Sequence, residues 1–201
     1  MRRLLPLVLL ALASCHTAPP MHPALLALED RLDRPQLRHW KHIVLHHSAS
    51  AHGSALEFHR FHKNERGWDG LAYHFVIGNG NGSGDGEIEV GYRWTDQIHG
   101  AHAGNPEYNQ YGIGICLVGN FEETGPQGGP ACPQAGSACP TPAQRESLRA
   151  LLRWLMERCE IPSTEIVRHK DVRDRQGLLA GGTECPGKNF PFEEIVREVS
   201  R

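Results

Sequence analysis

The sequence predicts a single α/β domain, a central mixed β-sheet flanked by helices. Three observations carry that prediction. The chain has 201 residues, enough for one domain with a real core. Short apolar runs rich in β-branched residues alternate with stretches of helical spacing, which is the pattern of strands and helices stacked in layers. One pair of strands is joined by the glycine-rich run "NGNGSGDG", residues 79–86, which marks a hairpin turn. The formal net charge of −2 excludes the strong basic field that drives nucleic-acid binding.

The elements follow in order. Ile43–Leu45 opens the sheet within "IVLHHSAS". Ser54-Ala-Leu-Glu57 reads as a capping box and starts a helix to about Arg66. Tyr73–Gly78 is a second strand, and Glu87–Tyr92 returns from the hairpin. Gly112–Val118 is a long apolar strand. Thr141-Pro-Ala-Gln144 caps a helix that runs to Cys159, with Pro in its first turn. Its Leu148, Leu151, Leu152, Leu155 and Met156 fall at helical spacing and are core residues. Ile166–Val167 is a short strand before Arg168-His169-Lys170-Asp171, and Phe192–Val199 is a final amphipathic helix.

The N-terminus is a separate object. Met1-Arg2-Arg3 precedes the apolar run Leu4–Ala13. That run is shorter than the roughly twenty residues a membrane span needs, and it has the layout of an export signal. Leu12-Ala-Ser-Cys15 resembles a bacterial lipobox. The resemblance implies a signal peptide over residues 1–14 and a lipid on Cys15; an ordinary signal peptide with an incidental cysteine is the alternative. The residue after Cys15 is His16 rather than Asp. By resemblance to lipoproteins of two-membrane bacteria, this implies the periplasmic side of the outer membrane, with the lipid as the chain's single membrane contact. Residues 15–36 read as a tether with a short helix, Pro23 to Leu32, and residues 37–201 as the domain.

Outside the cytoplasm thiols tend to pair. The chain has six cysteines, and after Cys15 an odd set remains: Cys116, Cys132, Cys139, Cys159 and Cys185. At least one is therefore otherwise engaged. Cys132 and Cys139 flank "CPQAGSAC" within a loop from Glu122 to Pro140, and a local disulfide is expected there. Pairing of Cys116 with Cys159 is open. Cys185, in Thr-Glu-Cys-Pro-Gly, is left outside any disulfide.

His46 and His47 close the first strand. Neighbours in a strand point to opposite faces, so one of the two at most serves a given site. In a layered α/β fold, strand ends and the loops after them line one cleft. His46 ends the first strand, His169 ends the last, and Cys185 follows on a loop closed by Pro and Gly. Two imidazoles and a thiolate form a three-ligand zinc set that leaves a fourth position for water or substrate. No local ligand spacing backs this set. A surface His169 and a buried Cys185 thiol fit the composition as an alternative. Arg93 offers a fork for a carboxylate, with a solvated arginine as the plain alternative.

Four blocks in order, "IVLHHSAS", "GWDGLAYHFVIGNG", "GAHAGNPEYNQYGIGICLVGNF" and "RHKDV" with "TECPGKNFP", resemble the zinc N-acetylmuramoyl-L-alanine amidases of the peptidoglycan-recognition-protein and phage amidase-lysozyme superfamily. The resemblance runs from about Lys41 to Val199. It implies an amidase/peptidoglycan-recognition-protein-like sheet domain that holds Zn2+ on His46, His169 and Cys185, with His47 turned away as a structural residue. It implies Tyr73 as the residue that orients the nucleophile and Thr183 as a donor to the oxyanion. It places His102 and Asn109 on the cleft wall against a muramyl peptide, with ordered loop polarity as the alternative; Arg93 is the candidate for a stem-peptide carboxylate. His52, His59, His62, His74 and His99 are then structural or surface residues. Peptidoglycan or muropeptides are the expected partners, and the protein is expected to be a monomer.

One departure narrows the branch. Cytoplasmic relatives that cleave anhydromuramyl peptides carry Glu where this chain has Cys116, and Asp where it has Cys185. The chain thus resembles the tyrosine-bearing branch, working outside the cytoplasm. The implied reaction is hydrolysis of the amide between the lactyl group of MurNAc and L-Ala of the stem peptide. The alternative is a recognition module that binds peptidoglycan without cutting it. Such relatives typically lose a zinc ligand, most often the cysteine, and this chain retains all three. A structural zinc site would add a fourth protein ligand, and none is offered near His169 or Cys185.

Overall fold

The computed structural model describes residues 22–29, 36–122, 138–173 and 182–201. The signal segment, Cys15, most of the tether and Cys132 lie outside the described residues. Five strands form one sheet: β1 (His42–His47), β2 (Phe75–Ile77), β3 (Ile88–Val90), β4 (Gly112–Leu117) and β5 (Ile166–Arg168). Their order is β3-β2-β4-β1-β5. β1 runs parallel to β4 and β5, β2 runs parallel to β4, and β3 returns antiparallel to β2 across the hairpin. The sheet is therefore mixed, as predicted. The helices are α1 (Pro23–Glu29), α2 (Ala55–Asn64), α3 (Tyr92–Thr95), α4 (Pro106–Tyr111), α5 (Pro142–Cys159) and α6 (Phe192–Val199).

Local chemistry explains the boundaries. The Thr141 hydroxyl accepts from the Gln144 backbone N–H while the Gln144 side chain accepts from the Thr141 backbone, so both halves of the capping box form at α5. The Gln144 amide also donates to the carbonyls of Ile77 and Val118, tying the start of α5 to the sheet. At α2 one half of the expected box forms: Ser54 Oγ accepts from Glu57 N at 3.2 Å.

Alternation along the strands divides the sheet into two faces. Ile43, Leu45, Phe75, Ile77, Ile113, Ile115 and Leu117 join Leu148, Leu151, Leu152 and Leu155 of α5 and Ile195 of α6 in the main core. The opposite face carries Val44, His46, Val76 and Cys116, with two small apolar clusters instead of one large one.

The structure corrects several sequence expectations. The second strand begins at Phe75, not Tyr73, because the chain bends at His74. In a straight strand Tyr73 would share a face with Phe75 and Ile77 and enter the main core. The bend turns it to the other face, where it packs with Val76 and Cys116. The return strand shortens to Ile88–Val90 because Tyr92 starts the one-turn helix α3. Helix α4 was not expected; Asn105 caps it by accepting from Glu107 N and Tyr108 N, with Pro106 following. Cys116 and Cys159 are both free, which closes the question of their pairing. Cys139 is disulfide-bonded, and its expected partner Cys132 lies outside the described residues.

Candidate metal centre and cleft

The sheet register builds the centre. β1 and β5 pair Leu45 with Arg168, so the next residues, His46 still in β1 and His169 just past β5, lie side by side. Their ring centroids lie 4.6 Å apart. Cys185 reaches the same point from the loop before α6. Its backbone carbonyl accepts from Lys170 N at 2.8 Å, which ties that loop to the turn carrying His169. One ligand atom each from His46, His169 and Cys185 lies within 4.8 Å of the others. The Cys185 Sγ to His46 Nδ1 distance is 3.7 Å. Zinc bond lengths to sulfur and nitrogen in a tetrahedral site put two such ligands about 3.5 Å apart, so the spacing and the donor set fit zinc.

Electrostatics favour ligand-ready imidazoles. Burial, then the neighbouring His102, His169 and His47, holds His46 well below the usual histidine range. Burial also lowers His169, against a hydrogen bond to the Ala103 backbone. Both are therefore neutral at pH 7 and present a lone pair. Burial pushes the Cys185 thiol up to about 12, opposed by the His47 N–H that donates to its sulfur at 3.4 Å. A bound cation reverses that balance and takes the thiolate.

His47 points the other way. Its Nδ1 accepts from Phe121 N at 3.1 Å, and its ring lies against Phe121 in the main core. Tyr73 lies on the metal side, with its ring centroid 5.1 Å from that of His46. Burial, then the thiols of Cys116 and Cys185, pushes the Tyr73 phenol well above its usual range. Thr183 Oγ1 accepts from Cys185 N at 3.1 Å and braces the ligand-bearing turn. Its O–H proton remains available to a second partner.

The expected substrate contacts give way to internal ones. His102 is 7% exposed and sits beneath His46, with Nδ1 3.0 Å from His46 Nε2 and Nε2 3.2 Å from the Gly112 carbonyl. Burial lowers it to about 3, so it too is neutral. Asn109 Oδ1 accepts from His102 N and Ala103 N. Arg93 is 2% exposed and donates to the carbonyls of Leu71 and His99, both at 2.6 Å. These polar side chains are consumed by buried backbone acceptors and donors, which must be paired when water is excluded.

A cavity of about 400 Å³ opens beside the centre, lined by Ser48, Glu57, Phe58, Phe61, His62 and Tyr73 among others. Tyr73 links it to the metal ligands. His62, read from sequence as structural, both lines this cavity and accepts from Ala72 N through Nδ1. Phe61 and Trp68 are 47% and 43% exposed near its rim, with Trp68 packed on His62. A signal for this cavity was present: α2 carries Phe61 half-exposed, where a helix packed on one core has a polar residue.

A family model described as N-acetylmuramoyl-L-alanine amidase matches residues 36–188. The chain belongs to that amidase family. Among its relatives is the endolysin of Enterobacteria phage T3, 35% identical over 134 residues that cover 65% of this chain and 74% of the endolysin. Mouse peptidoglycan recognition protein 1 is 33% identical over 94 residues, 43% of this chain and 47% of that protein. Among solved structures, the N-acetylmuramoyl-L-alanine amidase LysCS from Clostridium intestinale superposes with a TM-score of 0.60 at 35% identity, covering 80% of this chain and 84% of that one. Peptidoglycan recognition protein LE, solved in complex with tracheal cytotoxin, a monomeric diaminopimelic acid-type peptidoglycan, gives 0.55 at 25% identity over 79% and 81% of the two chains. The single mixed-sheet domain of this amidase is the fold these neighbours share.

Proposed function

We propose that this chain is a zinc-dependent N-acetylmuramoyl-L-alanine amidase that cuts the amide between the lactyl group of MurNAc and L-Ala of the stem peptide. The observation that carries the reading is the convergence of His46, His169 and Cys185 within 4.8 Å, next to a cleft that Tyr73 lines. Zinc bound there supplies an activated water and polarises the scissile carbonyl. The chain's own residues do the rest. His46, His169 and Cys185 would hold the metal. The Tyr73 phenol stays protonated, and its hydroxyl oxygen can accept from the attacking water and orient it. Thr183 donates its hydroxyl proton to the developing oxyanion. The Phe58 and Phe61 side of the cleft supplies the apolar wall for the muramyl peptide.

The substrate class is supported by the endolysin and amidase relatives and by the muropeptide bound to the recognition-protein neighbour. We further propose export through residues 1–14, a lipid on Cys15, a Cys132–Cys139 disulfide, and a monomer anchored at the outer membrane by a tether to the domain of residues 37–201. The anchor fits use on the cell's own wall.

The test is incubation of the purified protein with muropeptides, with and without a chelator. Mass spectrometry is expected to find free stem peptide that begins at L-alanine, and the chelator is expected to stop its release. Zinc-loaded protein that binds muropeptide and releases nothing would instead identify a recognition module.

A further inference from the structure

We infer that Asn109 is a positioning residue that sets the tautomer of the ligand His46 through one short loop, residues 100–103. The inference rests on the zinc site proposed above and concerns how this chain prepares it.

The hydrogen bonds leave one assignment. The Gly112 carbonyl can only accept, so the His102 Nε2 that lies 3.2 Å from it carries the proton. A neutral imidazole has one N–H, so His102 Nδ1 is an acceptor. It lies 3.0 Å from His46 Nε2, which must donate. His46 Nδ1 is then bare, and Nδ1 is the atom that faces Cys185 Sγ.

One side chain holds the loop that carries this acceptor. Asn109 Oδ1 accepts from His102 N at 2.9 Å and from Ala103 N at 2.8 Å. The Asn109 carbonyl accepts from Gly100 N at 2.8 Å. The remaining requirement is space for the His102 ring. A Cβ on Gly100 would come within 2.3 Å of its Cδ2, and one on Gly114 within 2.5 Å. The two glycines clear a slot, and the amide pins the loop that fills it. Outer partners that fix the ring orientation of a ligating histidine typically change metal affinity about 10- to 100-fold when removed.

The first test needs no variant. Long-range 1H–15N correlation spectra of the metal-free full-length protein are expected to show His46 and His102 protonated at Nε2 and bare at Nδ1. His46 protonated at Nδ1 would overturn the inference. The second test measures zinc affinity by competition with a chromogenic chelator. Asn109→Ala is expected to lower affinity about 10- to 100-fold, and Asn109→Asp, which keeps an accepting oxygen, to recover most of it. Wild-type affinity in folded Asn109→Ala, or no recovery in Asn109→Asp, would overturn it as well. A wild-type protein with these tautomers and tight zinc that cuts no muropeptide would refute the amidase reading and leave this inference standing.

Discussion

The two faces of the sheet use the same strands for opposite ends. On one, Ile43, Leu45, Phe75, Ile77, Ile113 and Ile115 meet the leucines of α5 in continuous hydrocarbon. On the other, the intervening positions are Val44, His46, Val76, Gly114 and Cys116, and the layer above them is a loop and a set of imidazoles. Burial is nearly complete on both. What differs is what burial does. On the first face it removes apolar surface from water, at roughly 25 cal/mol per Å². On the second it holds polar groups in fixed protonation states, each tied to a partner. Stability is concentrated on one side, which allows the other to carry groups that add little to it.

Two substitutions should separate the faces. Cys185→Ser removes a ligand from the second face. It is expected to lose zinc and amidase activity together, beyond the about 10- to 100-fold cost of disturbing an outer partner, with the metal-free fold intact by circular dichroism. Stoichiometric zinc at full activity would remove Cys185 from the ligand set. Leu151→Ala empties a fully buried position on the first face. It is expected to cost about 3 kcal/mol in denaturant unfolding while zinc stoichiometry stays unchanged. If Leu151→Ala instead released zinc in the folded state, the two faces would not be independent.

The first face was legible in the sequence because its signals are local. β-branched runs and the Thr141-Pro-Ala-Gln144 cap place β1, β4 and α5 without knowledge of anything distant. The short helices were harder. Yet Asn105-Pro106-Glu107 has the cap, the Pro and the acidic first turn of a helix start, and it could have announced α4. The second face was only partly legible. His46, His169 and Cys185 are far apart in the chain, with no local spacing between them; converging strand ends suggested the set, and family resemblance gave it its ligand role. His102 and Asn109 were expected in the cleft through the family resemblance, and Arg93 for the carboxylate its fork could hold. Which way a loop turns depends on its far end, here the Asn109 amide. The glycines at 100 and 114 were the trace of a buried ring, and a trace of that kind can be read only once the neighbour is known.

A smaller effect sharpens the chemistry of the second face. Tyr73→Phe keeps the ring that packs beside His46 and removes the hydroxyl. It is expected to retain zinc and lower kcat about 10²-fold, the typical cost of one positioned hydrogen-bonding group at a reaction centre. Unchanged kcat would assign Tyr73 to packing alone.

The smallest effect concerns a histidine that serves the fold. His74 is fully buried, its Nδ1 accepts from Gly114 N at 2.9 Å, and its Nε2 donates to the Ile98 carbonyl at 3.1 Å. It lies edge-on to Trp40 of the main core. Burial, then His102, holds it well below the usual histidine range. A second proton would set Nδ1–H against the Gly114 N–H, so the folded chain refuses a proton that the unfolded chain accepts near pH 6.5. The unfolded state then binds more protons below that pH, and stability falls as pH falls. His46, His47, His62 and His102 are shifted in the same direction, so the metal-free protein should weaken steadily between pH 6.5 and 5. His74→Gln removes one of these protons from the balance. It is expected to lower stability at pH 7.5 but to flatten the decline, by about 1 kcal/mol at one pH unit below 6.5. An unchanged slope would mean that His74 takes up its proton in the folded state and that its two hydrogen bonds do not require the neutral ring. The contrast with His46 would then rest on partner geometry rather than on charge.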